Sequence, residues 1–262
     1  MSDDALLRAD DVTVRFGGVV ALDGVGISVP EGSNVGLVGP NGAGKTTLFG
    51  VLSGLLRPRS GRVVLRGFDV TGASPQRRSR LGLARTFQRT ELFTELTVRE
   101  HLVVAHRSRE RRDRRFLIDL VGLGGRPPPR ERALVDGLLD LLGLTSLADR
   151  PAALLPLGTG RLVEVGRALA TEPAVVLLDE PTSGLDSGEA ARLATALERT
   201  QADLGVAFVL VEHNVDFVLG LAEHVTVLDF GKVIAAGPPP AIRANEAVQA
   251  AYLGTTSSAA PA

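Results

Sequence analysis

The run Gly39, Pro40, Asn41, Gly42, Ala43, Gly44, Lys45, Thr46, Thr47 constrains this chain more than any other stretch. It fits G-x-x-x-x-G-K-[ST], with an apolar segment, 34–38, before it and a helical one, 47–53, after it. A buried strand running through a glycine-rich turn into a helix is the setting in which such a loop binds phosphate. The glycines let successive backbone N–H groups turn inward onto anionic oxygens. The helix N-terminus adds the positive end of its dipole. Lys45 then meets the outer phosphates, and the Thr46 hydroxyl meets Mg2+. The plainer alternative is a tight strand-to-helix turn carrying an incidental lysine. Lysine usage argues against it: Lys45 and Lys232 are the only two lysines, in a chain that otherwise writes its cationic side chains as arginine.

A length of 262 residues predicts one domain with a sizeable core and room for an inserted subdomain. The net charge of −1 does not suggest a nucleic-acid partner. There is no cysteine, which excludes disulfides and thiolate metal sites. No apolar run approaches the roughly 18–20 residues that cross a bilayer, and the polar, acidic residues 1–4 do not read as a secretory signal. The expectation is a soluble, cytosolic chain that reaches a membrane only through a partner.

Strands are predicted over 6–16, 26–29, 62–65 and 83–87. Thr97-Val-Arg-Glu100 reads as a capping box opening a helix to about residue 105. Helical spacing recurs over 130–142 and 162–170. From Val175 onward strand and helix alternate: 175–179, 190–200, 207–212, 215–221 and 225–229. Such alternation implies a mostly parallel sheet covered by helices. The helical stretch 89–171 interrupts it and is expected to be an inserted subdomain. The core is then 6–88 plus 172–237, followed by a helical segment, 238–254, and a disordered tail, 255–262. The arginine-rich run 107–115 suits either a solvated helical face or contact with anionic headgroups.

The strand 175–179 ends in Asp179 and Glu180. A carboxylate there suits Mg2+ beside the phosphates, and its neighbour suits orientation of an attacking water. Alone, the pattern is weak. It gains weight from the phosphate loop upstream and from Pro181-Thr-Ser-Gly-Leu-Asp186 downstream. Gln88 follows a strand and can touch both metal and water, although taken alone it reads first as a solvated loop residue. His213 ends a strand beside the acidic one and is in reach of a terminal phosphate, or is structural. Phe16 can stack on a purine, or belong to the core.

Together these residues resemble the nucleotide-binding subunits of ABC transporters over nearly the whole chain. The resemblance implies an α/β P-loop NTPase fold with an N-terminal antiparallel β region and an inserted helical subdomain. It implies Phe16 as the adenine-stacking aromatic, Gly39–Thr46 as the Walker A loop, Gln88 as the Q-loop residue, and Asp179 and Glu180 as the Walker B pair. Residues 183–186 match the D-loop, and His213 the switch histidine. It further implies ATP hydrolysis with Mg2+ and a head-to-tail dimer, either with a second copy or with a paralogous ABC ATPase. The expected partners are transmembrane permease subunits, contacted through the segment 90–102, with a solute-binding protein engaged indirectly. The expected location is the cytoplasmic face of the inner or plasma membrane.

Within the family the chain is most similar to the ATPases of branched-chain amino acid importers. Phe16-Gly-Gly-Val-Val-Ala21-Leu22, the long insert 107–135 and the ending Ala251-Tyr-Leu-Gly254 carry that likeness. Lipopolysaccharide-export ATPases share much of it, so lipid export is the alternative within the class. A non-transport or weakly hydrolysing regulatory ABC ATPase is the alternative outside it.

One departure stands out. Counting back from Arg167, the family's Leu-Ser-Gly-Gly-Gln signature falls on Leu155-Pro156-Leu157-Gly158-Thr159. Pro156 replaces the serine, leaving Gly158, Thr159 and a helix N-terminus to face the partner's ATP. A rival register, Leu157 to Arg161, slips by two residues and turns the following helix by about 200°.

Overall fold

The computed structural model describes residues 5–86, 92–109 and 128–256, with the side chains of 253–256 left out. Gln88, Thr90 and the greater part of the insert 107–135 lie outside the described residues.

Two sheets frame the fold. The first is antiparallel, in the order β2 (Val19–Pro30), β1 (Ala5–Phe16), β4 (Ser60–Leu65), β5 (Phe68–Asp69). β2 starts seven residues before its expected beginning. Gly24 and Gly26 break its apolar pattern, but irregular register with β1 between Ala9 and Arg15 absorbs them. The second sheet runs β10 (Lys232–Gly237), β9 (His224–Asp229), β3 (Asn34–Val38), β8 (Ala207–Val211), β7 (Val175–Asp179), β6 (Leu83–Arg85). It is parallel from β9 to β6, with β10 antiparallel at one edge. The mostly parallel α/β architecture and the antiparallel β region are as expected.

β3, β7 and β8 are buried at every position, and successive side chains divide between two cores. Val35, Leu37, Val175, Leu177 and Val209 face the antiparallel sheet and Phe49 of α1 (Lys45–Ser53). Val176, Leu178, Phe208 and Leu210 face the opposite way. There they meet α3 (Val98–Arg109), α4 (Pro129–Leu141), α5 (Leu157–Leu169) and α6 (Ser187–Leu204). The short α2 (Pro75–Arg80) precedes β6. The Thr97–Glu100 capping box forms at α3, with Thr97 N–H donating to Glu100 (2.8 Å) and Glu100 N–H to Thr97 Oγ1 (3.2 Å).

A third cluster joins Val38, Val225 and Val227 to α7 (Val215–Leu221), α8 (Pro239–Arg243) and α9 (Glu246–Thr256). Tyr252, the only tyrosine, packs against it. Burial pushes its phenol up to about 12, and the backbone of Gly39 partly offsets that rise. α9 ends at Thr256, two residues into the expected tail. Residues 257–262 lie outside the described residues.

Arg78 is fully buried, and carbonyls surround its guanidinium. It donates to Val51 (2.6 Å) and Leu52 (2.7 Å) at the C-terminal end of α1, and to Val70 (2.6 Å), Thr71 (3.2 Å) and Ala73 (3.3 Å). Burial lowers its pKa to about 10, so it is a cation at neutral pH. It sits at the negative end of the helix dipole. Arg78→Met would leave these carbonyls without their donor. The expected loss is about 3–5 kcal/mol, or a fall in melting temperature of roughly 10 °C for a chain this size, read by thermal denaturation.

Candidate active site

The loop between β3 and α1 owes its shape to glycine. Gly39 has φ 155°, and a Cβ there would lie 2.2 Å from the Leu228 carbonyl oxygen. Gly44, the N-cap of α1, has φ 103°, and a Cβ there would meet the Ala21 carbonyl oxygen at 2.7 Å. No larger residue fits either position without moving backbone. The turn between β9 and β10 clamps the loop from outside. Gly231 N–H donates to Ala43 (3.0 Å), and Asp23 N–H to Gly231 (2.8 Å).

Lys45 is buried, and its ammonium donates back to the carbonyls of Gly39 and Pro40 (3.0 Å for the second). Burial lowers its pKa, while the charge of Glu180 acts to raise it. Thr46 is exposed beside it. A cavity of about 590 Å³ opens over the loop, lined by Asn41–Thr47, Val19–Ala21, Glu180, His213, Phe230 and Gly231. It is of the size that holds a small ligand.

Glu180 carries a strained backbone, with φ 47°. A left-handed conformation costs a non-glycine residue about 1–2 kcal/mol. The strain is held by its N–H donating to Val211 (2.8 Å), and its Oε1 lies 2.7 Å from His213 Nε2. Asp179, one residue earlier, points elsewhere: it is buried, and its Oδ2 accepts from Arg85 Nη2 at 3.0 Å. Burial raises its pKa, and Arg85 opposes that rise.

Glu212 is a buried acid that sequence reading passed over. Its Oε1 accepts from Thr182 N–H (2.7 Å) and Thr182 Oγ1 (2.6 Å), and its Oε2 from His213 N–H (3.2 Å). One carboxylate thus ties the loop after Glu180 to the base of His213. The only sequence signal was an acid at the end of an otherwise apolar strand, directly before the histidine.

α5 begins at Leu157, five residues before its expected start, with Pro156 at the N-cap and no side-chain cap. Gly158 N–H donates instead to Glu189 Oε1 (3.3 Å). Glu189 also completes the capping box of α6 with Asp186. The rival signature window, 157–161, lies wholly inside α5, whereas 155–159 straddles its start.

The ABC transporter family model matches residues 22–183, spanning the phosphate loop and the Asp179–Glu180 pair. This chain is a member of the ABC ATPase family. A second model, described as branched-chain amino acid ATP-binding cassette transporter, matches residues 232–257. Over 255 residues the chain is 36% identical to the high-affinity branched-chain amino acid transport ATP-binding protein BraF of Pseudomonas aeruginosa, covering 95% of this chain and 98% of that one. It is 34% identical over 258 residues to LivG of Escherichia coli, with the same coverage. Among solved structures, the ADP conformation of MJ1267, an ATP-binding cassette of an ABC transporter, superposes with a TM-score of 0.81 at 33% identity, covering 95% of this chain and 99% of that one. A nucleotide-free cassette gives 0.79 at 32%, covering 95% and 98%.

In this ABC ATPase, the phosphate loop, Glu180 and His213 come together at one cavity. Phe16, half exposed at the end of β1 opposite Val19, is not among its lining residues, and neither are Asp179, Gly158 and Thr159. Gln88 lies outside the described residues. Among the described residues, no helix is long and apolar enough to cross a membrane, and no cluster of three or more His, Asp or Glu could hold a metal ion. Glu212→Ala removes the acceptor that fixes Thr182. It is expected to cost about 2–4 kcal/mol in urea denaturation and to speed hydrogen exchange at the Thr182 amide, whereas Glu212→Gln, which keeps one acceptor oxygen, should cost less.

Proposed function

We propose that this chain is the ATP-hydrolysing subunit of an importer for branched-chain amino acids or related small polar solutes. It would act at the cytoplasmic face of the membrane through permease subunits. The match of residues 232–257 carries this reading, because the match over 22–183 is common to ABC ATPases of every kind. Relatives named for branched-chain amino acid transport, aligned over almost their whole length, support it.

In this reading the amides of the loop from Gly39 to Thr47 hold the phosphates, and Lys45 gives its charge to the outer ones. Phe16, paired on β1 with the cavity residue Val19, would flank the adenine. Mg2+ would be held by the Thr46 hydroxyl, which lines the cavity, and by the Asp179 carboxylate, hard oxygen donors of the kind it takes, with Gln88, outside the described residues, as a further donor and phosphates supplying the rest. Its chemistry there would be to neutralise phosphate charge. Glu180 would orient the attacking water, and His213, 2.7 Å from it at the same cavity, would reach the terminal phosphate. The catalysis is positional and electrostatic. A second copy or a paralogous ATPase would close over the cavity with its own signature loop. Phe93, which is exposed, pinned by its N–H to His101 Nε2 (2.9 Å) and has the Arg167 guanidinium 5.6 Å from its ring centroid, supports a docking role for the segment 90–102.

Lys45→Ala is expected to abolish ATP binding, and Glu180→Gln to keep binding, lose turnover and trap an ATP-bound dimer. Equilibrium ATP titration with single-turnover kinetics reads both, and equal loss of affinity in the two variants would refute the assignment.

The signature is taken at 155–159, with Pro156 at the N-cap where a serine would serve. A hydrogen bond to a charged group is worth roughly 1.5–3 kcal/mol. Pro156→Ser in the Glu180→Gln background should therefore tighten ATP-driven dimerisation about tenfold or more, measured by sedimentation. Gly158→Ser should not, because in this register position 158 is not the one whose serine would face the partner's ATP; its Cβ displaces only the end of the Glu189 side chain. The opposite pattern would overturn the register.

A further inference from the structure

Arg85 sits on β6, beside the strand that delivers Asp179. Its two terminal nitrogens divide their work. Nη2 donates to Asp179 Oδ2 at 3.0 Å, and Nη1 to Ser53 Oγ, at the end of the phosphate helix α1, at 3.2 Å. The guanidinium also lies over the Phe49 ring, 5.1 Å from its centroid. Both partners of the ion pair are largely buried, their side chains 18% and 7% exposed. Three contacts therefore fix the plane and position of this cation, and two of them are to the helix that carries Lys45 and Thr46.

We infer that Arg85 is a positioning residue that aims the Asp179 carboxylate. By holding one oxygen, it leaves the other for the divalent cation that accompanies ATP, and it locks that carboxylate to α1. The inference rests on the reading of Asp179 as a metal carboxylate. A carboxylate alone turns about its terminal torsion over a broad range. A forked donor anchored on Ser53 and Phe49 removes that freedom. Groups that orient a metal ligand in this way typically contribute 10–100-fold to metal affinity. Direct repulsion between the guanidinium and a divalent ion predicts the opposite. Orientation and direct repulsion therefore differ in sign, which makes the assignment testable. Lysine cannot substitute, because a single ammonium reaches Asp179 or Ser53 but not both.

The test compares full-length wild type, Arg85→Met, Arg85→Lys and Asp179→Asn by equilibrium titration with a fluorescent ATP analogue, first in EDTA and then in Mg2+. The quantity read is the gain in affinity that Mg2+ confers. Each variant's own affinity in EDTA is its reference, and the Mg2+ gain is expected to fall about tenfold or more in Arg85→Met and Asp179→Asn, and to a smaller degree in Arg85→Lys. If Asp179→Asn loses the gain but both Arg85 variants keep or increase it, the positioning role is overturned and the reading of Asp179 stands. If Asp179→Asn keeps the full gain, that reading fails, and the inference with it. Equal loss in EDTA and in Mg2+ for Arg85→Met would mark the residue as structural only, and would also overturn the proposal. Circular dichroism checks folding, and Arg85→Lys carries the comparison if Arg85→Met does not fold.

Discussion

A helix of nine residues does not persist in water by itself, since isolated helices need roughly 12–15 residues or more. α1, which presents Lys45 and Thr46, has that length, so its place is set by what holds its ends. At the C-terminal end, Arg78 donates to the carbonyls of Val51 and Leu52 and ties them to the segment from Val70 to Ala73. At the N-terminal end, left-handed Gly44 and the Gly231–Ala43 hydrogen bond fix the loop against β2 and the β9–β10 turn. Between the ends, Leu48, Phe49 and Leu52 are buried in the core below the antiparallel sheet. The phosphate loop is thus a rigid fixture assembled from four parts of the chain.

The acidic side of the site follows another rule. β7 and β8 are adjacent, parallel and buried throughout, so the residues that leave them emerge side by side at their carboxyl ends. Glu180 and His213 meet there by topology, and Glu212 and the strained Glu180 backbone sharpen the meeting. Asp179 and Glu180 are neighbours in sequence yet serve different surroundings. The first is held toward Arg85 under the sheet, and the second opens to the cavity.

Strong local signals were legible in the sequence. The loop from Gly39 to Thr46, the apolar strands 34–38 and 175–179, and the Thr97 capping box all carry their own periodicity or spacing, and each formed where expected. What stayed hidden depends on distant contacts. α2 and β5 are too short for a period to register. The start of α5 reads as loop because Gly158 and Gly160 weaken helix propensity, and only Glu189, 31 residues away, completes its first turn. Arg78, Arg85 and Glu212 looked like ordinary charges, because their roles come from burial that no local pattern encodes.

Tyr252 has an optical consequence. The chain contains no tryptophan and one tyrosine, so its phenol dominates the near-ultraviolet spectrum. That phenol packs against the cluster that includes Val38, and the backbone of Gly39, the first residue of the phosphate loop, acts on its hydroxyl. Any displacement of the loop against the C-terminal helix alters the surroundings of this single chromophore. The protein therefore carries a label-free reporter of its own nucleotide site, with intensity and anisotropy that belong to one residue and need no deconvolution.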